Sequence, residues 1–163
     1  MNWHIKTELY TLNPYNPLHM LALGFGAGLS PVAPGTAGSF AALPFCYLLA
    51  LLPLPWALFC IFCAFIVGVL ACQSVDEALG VHDHGAVVWD EFVGRFITTL
   101  ALPPHWGVLL LGFVCFRIFD ILKPWPVCWA DKYIPGGYGV MLDDVLAGLM
   151  ALCVMQGICW FFL

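Results

Sequence analysis

Apolar residues occur along the chain in long runs, without the alternation of apolar and polar positions that marks a strand. No Lys, Arg, Asp or Glu lies between Leu9 and Val75. The run "WALFCIFCAFIVGVLACQ" (56–73) approaches the roughly 20 residues that a helix needs to cross a bilayer, and a run of similar length follows Met141. The pattern therefore predicts an all-α protein whose longest helices cross a membrane.

Prolines and glycines divide the rest of the chain into shorter segments. Residues 17–30 are apolar but too short to span, and the following "SPVAPGTAGS" (30–39) contains prolines and glycines that forbid a continuous helix. Shorter helices are predicted over 40–52, 92–102 and 106–119. The chain is thus predicted to be a polytopic helical membrane protein with about four to five membrane-embedded helices, some short or broken, and no β-sheet.

The N-terminal residues differ from the rest of the chain. Residues 1–16 are predicted to form a short polar arm, and residues 17–163 a single helical membrane catalytic domain. The arm has no charged region followed by an A-x-A site, so we expect the first apolar segment to be retained rather than cleaved.

The composition also favours a membrane protein. Hydrophobic residues make up 63% of the chain and charged residues 9%, whereas soluble domains carry about 25% charged residues. The net charge of −5, with five basic residues, excludes a nucleic-acid binding surface. The eight cysteines lie in apolar runs, where they are expected to pack as small hydrophobes. The protein is expected to be surrounded by membrane lipid. The sequence pattern does not favour any particular oligomeric state.

Nearly all ionisable residues fall in three clusters near the ends of predicted helices. The first extends from Asp76 to Arg95, the second is "RIFDILKP", and the third is "MLDDVLAG", whose aspartates open the last helix. Solvated loop charges and helix N-caps explain each cluster taken singly. However, nine of the ten carboxylates lie in or beside these clusters, while the Lys and Arg of ordinary interfacial loops are scarce. Because a charge at the bilayer centre costs roughly 2.5–3.5 kcal/mol on insertion scales, the grouping indicates a functional site.

Two acidic pairs, Asp90–Glu91 and Asp143–Asp144, stand out within these clusters. Carboxylate oxygens are the ligands that hard divalent cations such as Mg²⁺ and Mn²⁺ prefer. Neighbouring residues of a helix point about 100° apart, so one residue of each pair can face a common ion while the other reaches a second ion or a loop. The sequence therefore predicts a magnesium site, with manganese as an alternative, between the helices that carry these pairs.

Two other interpretations of the first cluster stay open. Arg95 follows Glu91 by four residues, so a simple surface ion pair is an alternative role for both. His82, Asp83 and His84 include residue types that bind zinc, but so tight a triplet cannot close a tetrahedral site alone, and the cysteines lie far off in apolar helices.

Arg117 and Lys123 add cations to this acidic set, with Asp120 between them on about one helical face. Acidic metal ligands beside Arg and Lys are typical of a phosphate site, because the metal and the cations together offset a dianion. The stretch 30–39 can add backbone N–H groups, but it lacks the G-x-x-x-x-G-K-[ST] pattern of nucleotide sites. Its hydroxyl side chains are further candidates for binding phosphate: Ser30, Thr36 and Ser39. The residues alone predict metal-dependent chemistry on a phosphorylated amphiphile.

Four motifs in fixed order resemble the phosphatidylglycerophosphatase A family: "GFGAGLSPVAPGTAGS", "GVHDHGAVVWDEFVG", "FRIFDILKPWP" and "GGYGVMLDDVLAG". The resemblance covers almost the whole chain from about Pro17, and signatures of other lipid phosphatases, such as C-x5-R and D-x-D-x-T, are absent. It implies a Mg²⁺-dependent enzyme of bacterial phospholipid synthesis that removes the terminal phosphate of phosphatidylglycerophosphate. Such an enzyme would be a multi-pass protein of the inner membrane with its active site at the cytoplasmic face.

The expected roles combine this resemblance with the chemistry of each side chain. The two acidic pairs would hold Mg²⁺, and Arg117 and Lys123 would bind the phosphoryl oxygens. A carboxylate would take the proton of the attacking water, and a histidine would protonate the leaving glycerol oxygen. The candidates are Asp83 and Asp120 for the first step, and His82 and His84 for the second. A covalent aspartyl-phosphate stays open as an alternative to direct attack by water.

A membrane ion or proton transporter is the main alternative function, because carboxylates can line a path through a bilayer. That class predicts acids in the middle of several spans and usually repeated halves. Here the acids cluster at predicted helix ends and no repeat is visible in the sequence. A non-catalytic scaffold would need neither the acidic pairs nor the Arg and Lys beside them.

Overall fold

The computed structural model describes residues 12, 13, 15–81 and 84–162. The predicted arm over residues 1–16 therefore lies largely outside the described residues. Within the described ranges the chain is helical and contains no strand, which confirms the all-α prediction. The helices are α1 (Pro17–Ala22), α2 (Pro34–Ala41), α3 (Leu43–Ala50), α4 (Leu54–Leu79), α5 (Trp89–Thr98), α6 (Trp106–Leu122), α7 (Val127–Tyr133) and α8 (Gly136–Phe162), with a 3-10 helix over Gly24–Leu29.

Two of these helices, α4 and α8, are long and apolar enough to cross a membrane. Their 26-residue spans rise about 39 Å, more than the roughly 30 Å of a hydrocarbon core. Large apolar side chains are exposed along α4, among them Trp56, Phe59 and Phe62, as lipid contact requires. The helix α6 has 17 residues and the others fewer, which agrees with the predicted mixture of long helices and short or broken ones.

The predicted helix boundaries were wrong at both long helices. The helix α4 continues to Leu79, so Asp76 and Glu77 belong to it rather than to a loop after it. The last helix begins at Gly136 rather than near Met141, so its two aspartates lie seven and eight residues inside it. The N-cap explanation of these aspartates is therefore excluded, because an N-cap interaction does not reach beyond the first turn.

The early start of α8 depends on a close contact with α4. A Cβ atom on Gly137 would lie 2.4 Å from the carbonyl oxygen of Val69 and 3.1 Å from the backbone nitrogen of Gln73. Only glycine permits backbones to approach this closely without displacement. Tertiary packing thus extends the helix through a Gly-Gly pair that has poor helix propensity.

The break predicted over 30–39 is shorter than expected. It is confined to residues 30–33, where Ala33 has a φ of 47°. The helix α2 then starts at Pro34, because proline is favoured at the first helical position, where its missing N–H has no intrahelical partner to lose. Residues 34–39 are therefore helical, contrary to the prediction.

The helix α5 lies at the centre of the molecule, and all ten of its residues are buried. It packs against α8, and α4, α6 and α2 also contact it. Its first residue, Trp89, donates its indole N–H to the Ala64 carbonyl of α4 at 3.0 Å. The position of α5 is thus fixed from several sides, and its N-terminal turn carries the first acidic pair.

Candidate active site

Three buried carboxylates from two helices meet between α5 and α8. Asp90 and Glu91 lie in the first turn of α5, and Asp144 comes from α8. One carboxylate oxygen from each residue lies within 4.8 Å of the others, and all three residues are buried. The structure thus brings together three of the four predicted metal ligands, and these three residues form the acidic cluster.

A crossing of two glycines sets the separation of the helices at this point. A Cβ atom on Gly148 would lie 2.5 Å from the Gly94 carbonyl oxygen, and one on Gly94 would lie 2.8 Å from the Asp144 carbonyl oxygen. The crossing is therefore a backbone-to-backbone contact that any larger residue would open. Since Gly94 follows Glu91 by three residues and Gly148 follows Asp144 by four, the glycines lie one turn beyond the acids and hold them close together.

Two buried oxygens of the acidic cluster, Glu91 Oε2 and Asp144 Oδ2, have no hydrogen-bond partner among the described residues. Burial, together with the negative charges of Asp144 and Asp120, raises the pKa of the Glu91 carboxyl well above its usual range. Adjacent buried acids with unsatisfied oxygens are costly unless a cation or a proton joins them. The donor set is made of hard oxygens, so a hard divalent cation fits it.

The fourth predicted ligand, Asp143, makes a different contact. Its Oδ2 accepts a hydrogen bond from the Lys123 ammonium at 2.8 Å, and its Oδ1 accepts the Asp144 backbone N–H at 3.0 Å. Lys123 also donates to Asp131 on α7, a residue that the sequence did not single out. Burial alone would lower the pKa of Lys123, but these two hydrogen bonds outweigh burial and raise it above its usual value.

Arg117 connects α6 to the acidic cluster. Its Nη1 donates to Asp120 one turn later and lies 3.7 Å from Glu91 Oε1. The same guanidinium nitrogen thus faces both carboxylates, which places all three residues at one site. The predicted phosphate-binding arginine and the predicted proton acceptor are therefore neighbours of the predicted metal ligands.

The alternative ion pair between Glu91 and Arg95 does not form at the surface, because both residues are buried. Arg95 instead donates from Nη2 to the Leu109 carbonyl of α6 at 2.9 Å and lies 5.7 Å from the centre of the Phe113 ring. Within the part of the chain that the structure describes, its Nε and Nη1 have no hydrogen-bond partner. The cation nearest to Glu91 in the described contacts is Arg117, from a different helix.

The glycine-rich stretch lies directly against the site through one residue. A Cβ atom on Gly35 would lie 2.2 Å from Glu91 Oε1 and 3.2 Å from Arg117 Nη1. Thr36 follows it in the first turn of α2 and is half-buried. The Ser30 hydroxyl donates to the Val32 carbonyl at 2.9 Å, which closes the turn before α2. The backbone at Gly35 is therefore the part of this stretch that reaches the acidic cluster.

The histidine segment is described only in part. His82 and Asp83 lie outside the described residues, so the zinc alternative and the role of Asp83 stay predictions. His84 is buried, and its Nδ1 accepts the Ala86 backbone N–H at 3.2 Å. This bond leaves Nε2 as the nitrogen that carries the proton of a neutral imidazole.

Sequence reasoning missed the glycines that position the acids and the acid that faces Lys123. A signal for the first was present, since "DEFVG" and "DDVLAG" both place a glycine about one turn after an acidic pair. For Asp131 no such signal exists, because its contact with Lys123 depends on where α7 packs against α8.

The model of the phosphatidylglycerophosphatase A family matches residues 20–159. The chain is 50% identical over 139 residues to "Phosphatidylglycerophosphatase A" of Escherichia coli, covering 83% of this chain and 80% of that protein. It is 46% identical over 156 residues to the protein of the same name from Haemophilus influenzae, covering 94% and 95%. A "Putative phosphatidylinositol-3-phosphatase" of Bacteroides thetaiotaomicron is 37% identical over 150 residues, covering 86% and 92%. No solved structure matches the chain.

Proposed function

The chain belongs to the phosphatidylglycerophosphatase A family, and we propose that it hydrolyses phosphatidylglycerophosphate to phosphatidylglycerol and inorganic phosphate in bacterial phospholipid biosynthesis. The observation that supports this most is the meeting of three buried acids from two helices beside Arg117. The names of the relatives from Escherichia coli and Haemophilus influenzae support this substrate. The third relative is named for another lipid that carries a phosphomonoester on its headgroup, which supports the same class of reaction.

A Mg²⁺ ion is part of this proposal, with Mn²⁺ as the alternative. Asp90, Glu91 and Asp144 would hold it, and the unsatisfied oxygens of Glu91 and Asp144 are the observation that favours it. When bound, the ion would supply positive charge that polarises the phosphoryl group. Asp143 stays a candidate ligand from the sequence, although its carboxylate is engaged by Lys123.

The side chains around the acidic cluster can perform the remaining steps. Arg117 and Lys123 donate hydrogen bonds to the non-bridging phosphoryl oxygens, with the backbone at Gly35 and the Thr36 hydroxyl alongside. As the oxygen of water bonds to phosphorus, Asp120 accepts a proton from that water. Asp120 is the candidate by position, because its ion pair with Arg117 places it beside the phosphoryl oxygens that Arg117 would bind.

The bond from phosphorus to the glycerol oxygen breaks as the new bond forms, and the leaving oxygen needs a proton. His84 is the candidate donor, through Nε2, in its doubly protonated form; protonation of Nδ1 requires that ring nitrogen to release the Ala86 backbone N–H that it accepts here. His82 is the alternative donor and Asp83 the alternative acceptor, both carried by the same segment as His84. A covalent aspartyl-phosphate remains the competing route.

The proposed location is the cytoplasmic face of the bacterial inner membrane. The acyl chains of the substrate can stay in lipid against the exposed apolar surface, while only the headgroup enters the polar site. A transporter is less favoured because the acids meet at one point rather than along a path through the described helices.

Phosphate release from phosphatidylglycerophosphate by the detergent-solubilised full chain tests the proposal. We expect activity with Mg²⁺, none with EDTA, and a loss of about 100-fold or more in Asp144→Asn and Glu91→Gln. Glu77→Gln is the matched control, because Glu77 is exposed near the end of α4 and its hydrogen bond among the described residues is the local one from Gln73. Wild-type release by Asp144→Asn would contradict the metal assignment, and no release by the wild-type chain would contradict the function.

A further inference from the structure

We propose that Asp131 sets the affinity of the site for phosphate by competing with the substrate for Lys123. The inference rests on the proposed function, since it assigns Lys123 to the phosphoryl oxygens. Asp131 lies outside the acidic cluster and was not a predicted site residue. It is therefore a positioning residue that acts through Lys123 and does not touch the reacting atoms.

Lys123 lies between two carboxylates that belong to different helices. It is the residue after α6, with a φ of 42°, and its backbone N–H donates to the Phe119 carbonyl at 2.9 Å. Its ammonium donates to Asp143 of α8 at 2.8 Å and to Asp131 of α7. The lysine that is expected to bind phosphate is thus already paired with two carboxylates.

The two carboxylates differ in exposure, and this decides which one gives way. The Asp143 side chain is 9% exposed and that of Asp131 is 39% exposed, with Lys123 at 31%. Water replaces a lost partner at an exposed carboxylate at little cost, whereas a buried carboxylate that loses its cation is left uncompensated. An incoming phosphate oxygen therefore displaces Asp131, while Asp143 keeps Lys123 aimed at the site.

The negative charge of Asp131 also weakens phosphate binding, in addition to its competition for Lys123. A phosphomonoester carries up to two negative charges, and a carboxylate beside its binding cation repels both the substrate and the inorganic phosphate product. Since the interaction is the same for substrate, transition state and product, it changes KM and product affinity rather than the chemical step. Asp131 thus limits retention of the product.

The test measures KM for phosphatidylglycerophosphate, inhibition by inorganic phosphate, and binding of inorganic phosphate by calorimetry, all with Mg²⁺ and the solubilised full chain. In Asp131→Asn we expect KM, the inhibition constant and Kd each to fall about twofold to fivefold, with kcat unchanged or lower. A twofold to fivefold change corresponds to about 0.4–1 kcal/mol, which lies within the roughly 0.2–1 kcal/mol of an exposed ion pair. Asp131→Glu keeps the charge and should restore values close to wild type.

Glu77→Gln is the charge-matched control, since it also removes one exposed carboxylate. An equal fall in Glu77→Gln would show a general surface-charge effect and overturn the proposal. So would unchanged constants in Asp131→Asn, or a rise in Kd, which would mean that Asp131 only holds Lys123 in place. Calorimetry separates this result from the proposed function, because phosphate binding is measured whether or not the wild-type chain releases phosphate from the lipid.

Discussion

Replacing Gly148 by alanine should force α5 and α8 apart and disable the acidic cluster. The new Cβ would lie 2.5 Å from the Gly94 carbonyl oxygen, about 0.9 Å less than an ordinary contact of 3.4 Å. The obstacle is backbone, so the helices must separate by nearly that distance. Overpacking of this kind costs about 1–3 kcal/mol, and alanine recovers up to about 1 kcal/mol through its better helix propensity.

The effect on catalysis should exceed the effect on stability. Asp144 lies one turn from Gly148, so its carboxylate moves away from Asp90 and Glu91 with the helix. A displacement of about 1 Å among groups that act together can cost about 100-fold in rate. We therefore expect Gly148→Ala to lower kcat about 100-fold and to raise the Mg²⁺ concentration for half-maximal activity.

Phosphate release titrated with Mg²⁺, together with thermal unfolding in detergent, measures both effects. Gly157→Ala is the matched control, because Gly157 lies on the same helix and a Cβ there would meet no described residue within 4 Å. It should keep wild-type activity and a wild-type or higher Tm. If Gly148→Ala retained wild-type kcat and Mg²⁺ dependence while folded, the glycine crossing would not position the acids.

Three further outcomes are expected. Gly35→Ala should raise the Mg²⁺ concentration needed for activity and lower phosphate release at least about tenfold, because its Cβ would lie 2.2 Å from Glu91 Oε1. Gly107→Ala is the control and should match wild type in the same assay, because a Cβ there would meet no described residue within 4 Å. Arg95→Ala should lower the free energy of unfolding by about 2–5 kcal/mol, because it leaves a buried cavity. Arg95→Met should not lower it, because methionine fills the space and removes a desolvated charge. Thermal unfolding distinguishes the two variants. Mg²⁺ at 100 times its Kd should add about 2.7 kcal/mol to the free energy of unfolding of the wild-type chain, which thermal unfolding detects as a higher Tm. Glu91→Gln should abolish this rise in Tm.

The general outline of the site was predictable because charges are rare in this chain. A sequence with 9% charged residues leaves few ways to satisfy its acids, so their convergence followed from the cost of burying them apart. Which acids converge was less accessible. Asp143 and Asp144 are adjacent and chemically equal, and the direction in which each points depends on where α8 begins and how it crosses α5.

Long-range packing decided the features that the sequence did not reveal. The start of α8 at Gly136 depends on the close approach of Gly137 to α4, and the contact of Lys123 with Asp131 depends on the fold of α7. Helix propensity and periodicity describe a segment by itself, so they carry no information about either contact. The predicted start of α8 was therefore wrong at the point where Gly137 meets the backbone of α4.

The composition of α5 shows why the acids require a function. All ten of its residues are buried, yet Asp90, Glu91 and Arg95 are ionisable. Burial of an ion costs several kcal/mol, and well-packed apolar residues at the same positions are often as stable or more so. Arg95 lies apart from the acids and bonds to the Leu109 carbonyl, so it does not neutralise them. Arg117 offsets part of the charge of Glu91, and the remaining compensation is a proton or a cation shared by the acids. The proposed Mg²⁺ would therefore tie the stability of the central helix to occupation of the site.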